Sequence, residues 1–159
     1  MTFLFGNRPR REDQESVSAL EQSVRNVETI LASIGVDPVE ARMKVDAGYA
    51  WNFQRGSALI EVYVSQEERG YLQVLSPIMH LPTTNLLALY RRLLELNLQL
   101  TNASVGVHED VVYVFNERPL DGLDHIEAES IIRKLAIYAD DLDNKLVDEF
   151  GGRLYSQPN

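Results

Sequence analysis

Between Tyr49 and Met79 the hydrophobic period of the chain is two, and that period dictates a sheet. Ala58–Ser65 places Ile60, Val62 and Val64 on one side. Tyr71–Met79 places Leu72 and Val74 on one side and Tyr71, Gln73 and Leu75 on the other. Tyr49–Arg55 precedes them with mixed aromatic and polar residues, and Gly56-Ser57 breaks the run. Side chains of a strand alternate between faces, so β-branched and aromatic residues at this spacing predict a three-stranded antiparallel meander. Gln66–Gly70 is long enough for its second connection. Pro77 and Pro82, which cannot donate to a ladder, are expected to close it. The alternation predicts a sheet with one face covered and the other partly wet.

On either side of the meander the period lengthens. Val17, Leu20, Val24, Val27, Leu31 and Ile34 recur every three or four residues and predict an amphipathic helix from about Glu15 to Ile34, ended by Gly35. Asp37, Pro38 and Glu40 suit a short helical turn. Thr83 or Thr84 is expected to cap a second helix to about Leu98. Ala103, Val105 and Val107 run to Glu109-Asp110 and Val111–Phe115 runs back, a tight hairpin. The last helix carries the stripe Ala128, Ile131, Ile132, Leu135, Ala139, Leu142, Leu146 and Phe150, and Gly151-Gly152 ends it. The order is α-β-β-β-α-β-β-α. Helices segregated from a run of about five antiparallel strands predict an α+β fold with the helices packed on the sheet. Residues 15–152 are expected to form one domain, with residues 1–14 as a flexible tail and 153–159 as a C-terminal tail.

The second helix carries more apolar surface than one sheet face requires. Leu86, Leu87, Leu89, Tyr90, Leu93, Leu94, Leu96, Leu98 and Leu100 sweep about 200° of its circumference, whereas packing on a sheet uses a stripe of about 100°. Either the helix is central within the protomer or its second face packs on another chain. The expectation is a homodimer, with Leu87, Leu89, Tyr90, Leu93, Leu94 and Leu96 as its candidate interface.

Charge and composition narrow the function. The 159 residues carry a formal charge of −9, from 15 basic and 24 acidic side chains. Between Asp121 and Phe150 nine acidic residues face only Arg133, Lys134 and Lys145. A phosphate backbone is repelled by such a surface, and the one basic cluster, Arg8, Arg10 and Arg11, is answered at once by Glu12 and Asp13, so nucleic acid is not an expected partner. The acidic segment serves solubility in the first place, and among partners a basic or positively flanked protein is better matched. No stretch approaches the ~20 apolar residues of a membrane span. Phe3-Leu4-Phe5 is too short for a signal segment and its positive residues follow it. The absence of cysteine fits a reducing compartment, and a cytoplasmic location is expected.

No constellation for catalysis emerges. There is no Gly-x-Ser-x-Gly elbow, no Walker loop and no Gly-x-Gly-x-x-Gly. His80, His108 and His125 have no second His at metal-ligand spacing. Asp140, Asp141, Asp143 and Asn144 lack the glycine and the terminal Glu of a calcium loop, and they are read as a solvated acidic helix face. His108-Glu109-Asp110 is read as turn chemistry. No catalytic residue, metal or cofactor is expected. Tyr49, Trp51, Phe53 and Tyr71 are the aromatic candidates for a ligand or partner groove, with packing in the core as the favoured alternative.

One set of residues resembles a known family. Trp51-x-Phe53 with Gly56-Ser57-Ala58, Ser76-Pro77-Ile78 with Leu81-Pro82, and Leu86 leading to Tyr90-Arg91-x-Leu93-Leu94-Glu95-Leu96-Asn97 resemble the YbjN-type family of small bacterial proteins. The later hairpin, the Pro119-Leu120…Leu123 entry and the helix from Ala139-Asp140 to Phe150-Gly151-Gly152 continue the match. The resemblance implies a fold like that of type III secretion chaperones, a homodimer, and a role described loosely as regulation of sensory transduction, with no enzymatic activity or cofactor. The expected function is a dimeric, non-enzymatic protein-binding module, a chaperone-like adaptor or regulator. The alternative is a small-molecule-sensing domain with its pocket between sheet and helices.

Overall fold

The computed structural model of the chain describes residues 11–65 and 70–156. Three helices, α1 (Arg11–Ser33), α2 (Leu86–Leu96) and α3 (His125–Phe150), accompany seven strands. The strands are β1 (Arg42–Met43), β2 (Tyr49–Arg55), β3 (Ala58–Val64), β4 (Tyr71–His80), β5 (Ser104–His108), β6 (Val111–Pro119) and β7 (Arg153–Leu154). They form one antiparallel sheet in the order β1-β2-β3-β4-β6-β5, with β7 added to β4. The α+β architecture matches the sequence reading. The two strands beyond the expected five, β1 and β7, are two residues each, too short to establish a period.

Local chemistry sets the element ends. Gly35 adopts φ 84, which lets the Gly35 and Val36 amides turn back onto the Ala32 and Leu31 carbonyls and close α1. The Asp37 carboxylate accepts from the Val39 amide at 2.8 Å and holds the turn that follows. α3 starts at Asp124, whose side chain accepts from the Glu127 amide, and Glu127 in turn pairs with Arg118 at 2.8 Å. The residue capping α2 is neither threonine but Asn85, at φ 61 with no side-chain cap bond. Asparagine tolerates that left-handed conformation better than a β-branched threonine does.

Alternate residues Ile60, Val62, Leu72, Val74, Val112 and Val114 are buried on one sheet face. They form a single apolar cluster with Ile30 and Leu31 of α1, Leu89, Leu93 and Leu96 of α2, and Ile131, Ile132 and Leu135 of α3. The helices therefore cover this face.

Three sequence readings need correction. Pro77 does not end the sheet. β4 continues to His80, its register on β6 slips between Pro77 and Met79, and β7 takes up pairing at Met79 and His80 where β3 has ended. The proline marks a change of partner. Secondly, Asp143 is not on a solvated face. It is 1% exposed, because its spacing from Ala139 and Leu146 places it on the buried stripe of α3. There its carboxylate accepts from Ser57 Oγ at 2.6 Å, while Asp140 accepts from the Ser57 amide at 3.2 Å. The tip of the β2–β3 hairpin is thereby clipped to α3. Thirdly, helix begins at Arg11 and a strand occupies Arg153–Leu154, so regular structure extends past 15–152 at both ends. The rest of the expected tails, residues 1–10 and 157–159, and the connection at 66–69 lie outside the described residues.

Candidate functional site

The face of the sheet turned away from the helices is built from the alternate strand residues, and the register places them in rows. Glu61 opposes Leu75, Leu75 opposes Phe115, and Phe115 opposes Ser104. On one side of this row lie Pro77, Tyr113 and Gly106. On the other lie Tyr63, Gln73 and Glu117. Leu75 and Tyr113 are half-buried and Phe115 is exposed, although none of the described helices covers them. A depression of 420 Å³ opens here, with Glu61, Gln73 and Leu75 on one side, Tyr113 and Phe115 along its floor, and Gly106, Val107 and His108 of β5 on the other. Gly106 contributes an absence of side chain. A Cβ at that position would stand 3.5 Å from the Phe115 ring, inside the space the glycine leaves open.

The three rows at the depression contain the carboxylates of Glu61 and Glu117 and no lysine or arginine; the nearest guanidinium on the same face is one row further, on β7. Arg153, which opposes His80 on β7, is engaged in a contact of its own. The Tyr63 hydroxyl donates to Glu61 at 3.1 Å, and Gln73 donates to Glu117 at 3.1 Å. Burial, followed by the charge and hydrogen bond of Glu61, pushes the Tyr63 phenol up to about 12. Burial also raises the Tyr113 phenol, with Tyr155, Glu61 and Glu109 adding to the effect. Both phenols thus stay neutral, polar-tipped aromatic surfaces beside carboxylates, suited to holding apolar and cationic groups. Among the described residues, no group of three or more His, Asp or Glu could hold a metal ion, and no helix is long and apolar enough to cross a membrane.

A second surface lies on α2. Leu89, Leu93 and Leu96 point into the chain's own core, so these three members of the predicted interface are not available to a partner. Leu87, Leu94 and Leu98 are 84%, 70% and 89% exposed, and Tyr90 is exposed between them. The surplus leucines do form a separate outward stripe at three- and four-residue spacing. It is narrower than the sequence suggests, because three of the six candidate interface residues are turned inward.

The predicted aromatic groove does not assemble. Trp51 and Phe53 are buried in the core on the helix-covered face, and Tyr49 stacks beside Trp51 at 6.5 Å with Arg42 over both rings. Tyr71 lies on the opposite face, paired with Pro119. The four residues thus line no common pocket between sheet and helices. What the sequence reading passed over is the off-phase set Tyr63, Leu75, Tyr113 and Phe115. The available signal was apolar and aromatic residues at strand positions that alternation assigns to solvent.

No curated protein is similar in sequence to this chain. Solved structures that share its fold include the following two. The ExsC-ExsE complex has a chain that superposes with a TM-score of 0.59 at 13% identity, over 80% of this chain and 95% of that one. The HopA1-SchA chaperone-effector complex gives 0.54 at 13% identity, over 83% and 98%. At this identity the likeness shows the fold. Membership follows from the sequence match over residues 21–158: the chain belongs to the family TY-Chap1, described as the T3SS (YopN, CesT) and YbjN peptide-binding chaperone 1.

Proposed function

We propose that the chain is a non-enzymatic peptide-binding chaperone or adaptor that seats an extended segment of a partner protein on the helix-free face of its sheet. The observation that carries this reading is the uncovered depression between Glu61, Leu75, Phe115 and Gly106, an apolar floor with polar margins in a chain of a peptide-binding family. Sites of this character bind by excluding water from apolar side chains, with a few polar groups fixing direction. The similarity to chains solved in an ExsC-ExsE complex and a chaperone-effector complex supports a protein as the occupant. Self-association through the outward stripe Leu87, Tyr90, Leu94 and Leu98 belongs to the same proposal, since a two-fold would bury each stripe against its copy. Regulation in the cytoplasm, exerted by holding the partner segment, completes it.

The test is fluorescence anisotropy with a panel of labelled, unstructured peptides of varied sequence. Saturable binding by a subset, removed by Gly106→Val, is the expected result. Valine suits an edge strand, and its Cβ meets only the Phe115 ring, so the variant fills the depression and keeps the fold. A panel in which no peptide binds wild type would overturn the proposal.

A further inference from the structure

The charge on the helix-free face carries a more specific conclusion, which rests on the peptide-binding reading above. We infer that the depression selects a segment in which lysine or arginine neighbours an aliphatic or aromatic residue. The apolar member lies on Leu75 and Phe115, and the cation reaches Glu61 and, along the next row, Glu117.

Three observations converge on that occupant. The three rows that frame the depression hold two carboxylates and no lysine or arginine, so an acidic segment meets repulsion there and a basic one does not. Secondly, Glu61 has one partner from the face itself, the Tyr63 hydroxyl on a single oxygen. A carboxylate offers about four acceptor positions, so a guanidinium or ammonium can still be received. Thirdly, the neutral phenols of Tyr63 and Tyr113 stand beside the same carboxylate and give a cation's methylene stem and charge an aromatic wall. A purely apolar segment would use the floor and leave Glu61 desolvated without a counter-charge, an unfavourable arrangement.

The probes are three capped peptides of about ten residues in a Gly/Ser background. One carries two leucines and two lysines, one has glutamates in place of the lysines, and one has serines in place of the leucines. The first should bind wild type and the other two should bind at least about tenfold more weakly. In Glu61→Gln/Glu117→Gln the affinity for the lysine peptide should fall by about fivefold to twentyfold and lose most of its salt dependence up to about 0.5 M. Glutamine keeps an acceptor for Tyr63 and for Gln73, so the fold is retained, and unchanged thermal midpoints would confirm it. Gly106→Val should abolish binding of all three. Equal binding of the lysine and glutamate peptides, both lost in Gly106→Val, overturns the charge selection and leaves the peptide-binding reading intact. Absence of binding by any peptide overturns both. Tighter binding of the lysine peptide by full-length Arg8→Ser/Arg10→Ser than by wild type would assign the face to the chain's own basic segment and overturn an outside partner.

Discussion

The side chain of Asn97 makes with Val105 the pair of hydrogen bonds that another strand would make. Its carboxamide oxygen accepts from the Val105 amide at 2.7 Å, and its nitrogen donates to the Val105 carbonyl at 3.2 Å. β5 is the last strand of the order, and an open strand edge is a template for uncontrolled pairing. The residue that follows α2 therefore closes the sheet edge beside the depression. In the proposed function this leaves the face, and not the edge at Val105, for a partner segment.

Asn97→Ala should lower stability by about 1–2 kcal/mol, the net value of two modest hydrogen bonds. The more specific readout is amide exchange. Val105 should lose protection in the variant, whereas Gly106, whose register partner is Tyr113 inside the sheet, should keep most of its own. Unchanged protection at Val105 would show that the carboxamide does not hold the edge.

The two phases of α2 make opposite predictions for adjacent leucine sites. Leu94 is exposed, so Leu94→Asp should leave the thermal midpoint of the fold nearly unchanged and yield a monomer by light scattering. Leu96 is 4% exposed, and a carboxylate placed there is buried without a counter-charge. Leu96→Asp should destabilise the protomer by about 3 kcal/mol or more. A wild-type mass of one chain across micromolar concentrations would remove self-association from the proposal.

These leucines also show where sequence reading runs out. Their total was legible as excess over one stripe, but period alone does not say which phase faces the core. Only the packing of Leu89, Leu93 and Leu96 against β5 and α3 decides it. The meander, the hairpin at Glu109-Asp110 and the stripes of α1 and α3 were legible because each rests on local period and turn chemistry. Asp143 was misread because residue type outweighed its position between Ala139 and Leu146, and its partner Ser57 is far away in sequence. Likewise, Asn97 acts through a strand edge and Gly106 through the space it leaves on a sheet face, and no local pattern encodes either. The depression was missed for a related reason: its rows exist only once four strands are in register.

Tyr63 offers a spectroscopic handle on the candidate site. Its phenol is raised to about 12 by burial first and by Glu61 second. The folded state therefore holds this proton more tightly than the unfolded chain. The resulting stability is fully present below about pH 10 and is lost as pH rises through about 12. The phenolate absorbance of wild type minus that of Tyr63→Phe should show this late titration. Glu61→Gln should move it downward without restoring the ordinary value, since burial remains. A midpoint unchanged in Glu61→Gln would mean that the carboxylate does not sense the phenol.

The clip between Ser57 and Asp143 should give the fold a measurable dependence on acid. Burial, the leading cause, raises the Asp143 carboxyl, and Asp140 adds to the rise. Hydrogen bonds from Ser57 and Asn144 oppose it. A carboxyl raised above its unfolded value binds its proton more tightly in the folded state. Its stabilising contribution is therefore full below the unfolded carboxylate range and declines as pH rises through the folded value. Asp143→Asn removes the titrating group, so denaturant midpoints measured from acid to neutral pH should lose this component of their decline. Ser57→Ala removes a donor that favours the ionised form. It should shift the decline to higher pH and lower stability by about 1–2 kcal/mol, because a buried acceptor loses its partner. The two variants thus move the profile in different ways, one flattening it and one displacing it. A pH profile in Asp143→Asn parallel to that of wild type would show that the dependence arises elsewhere.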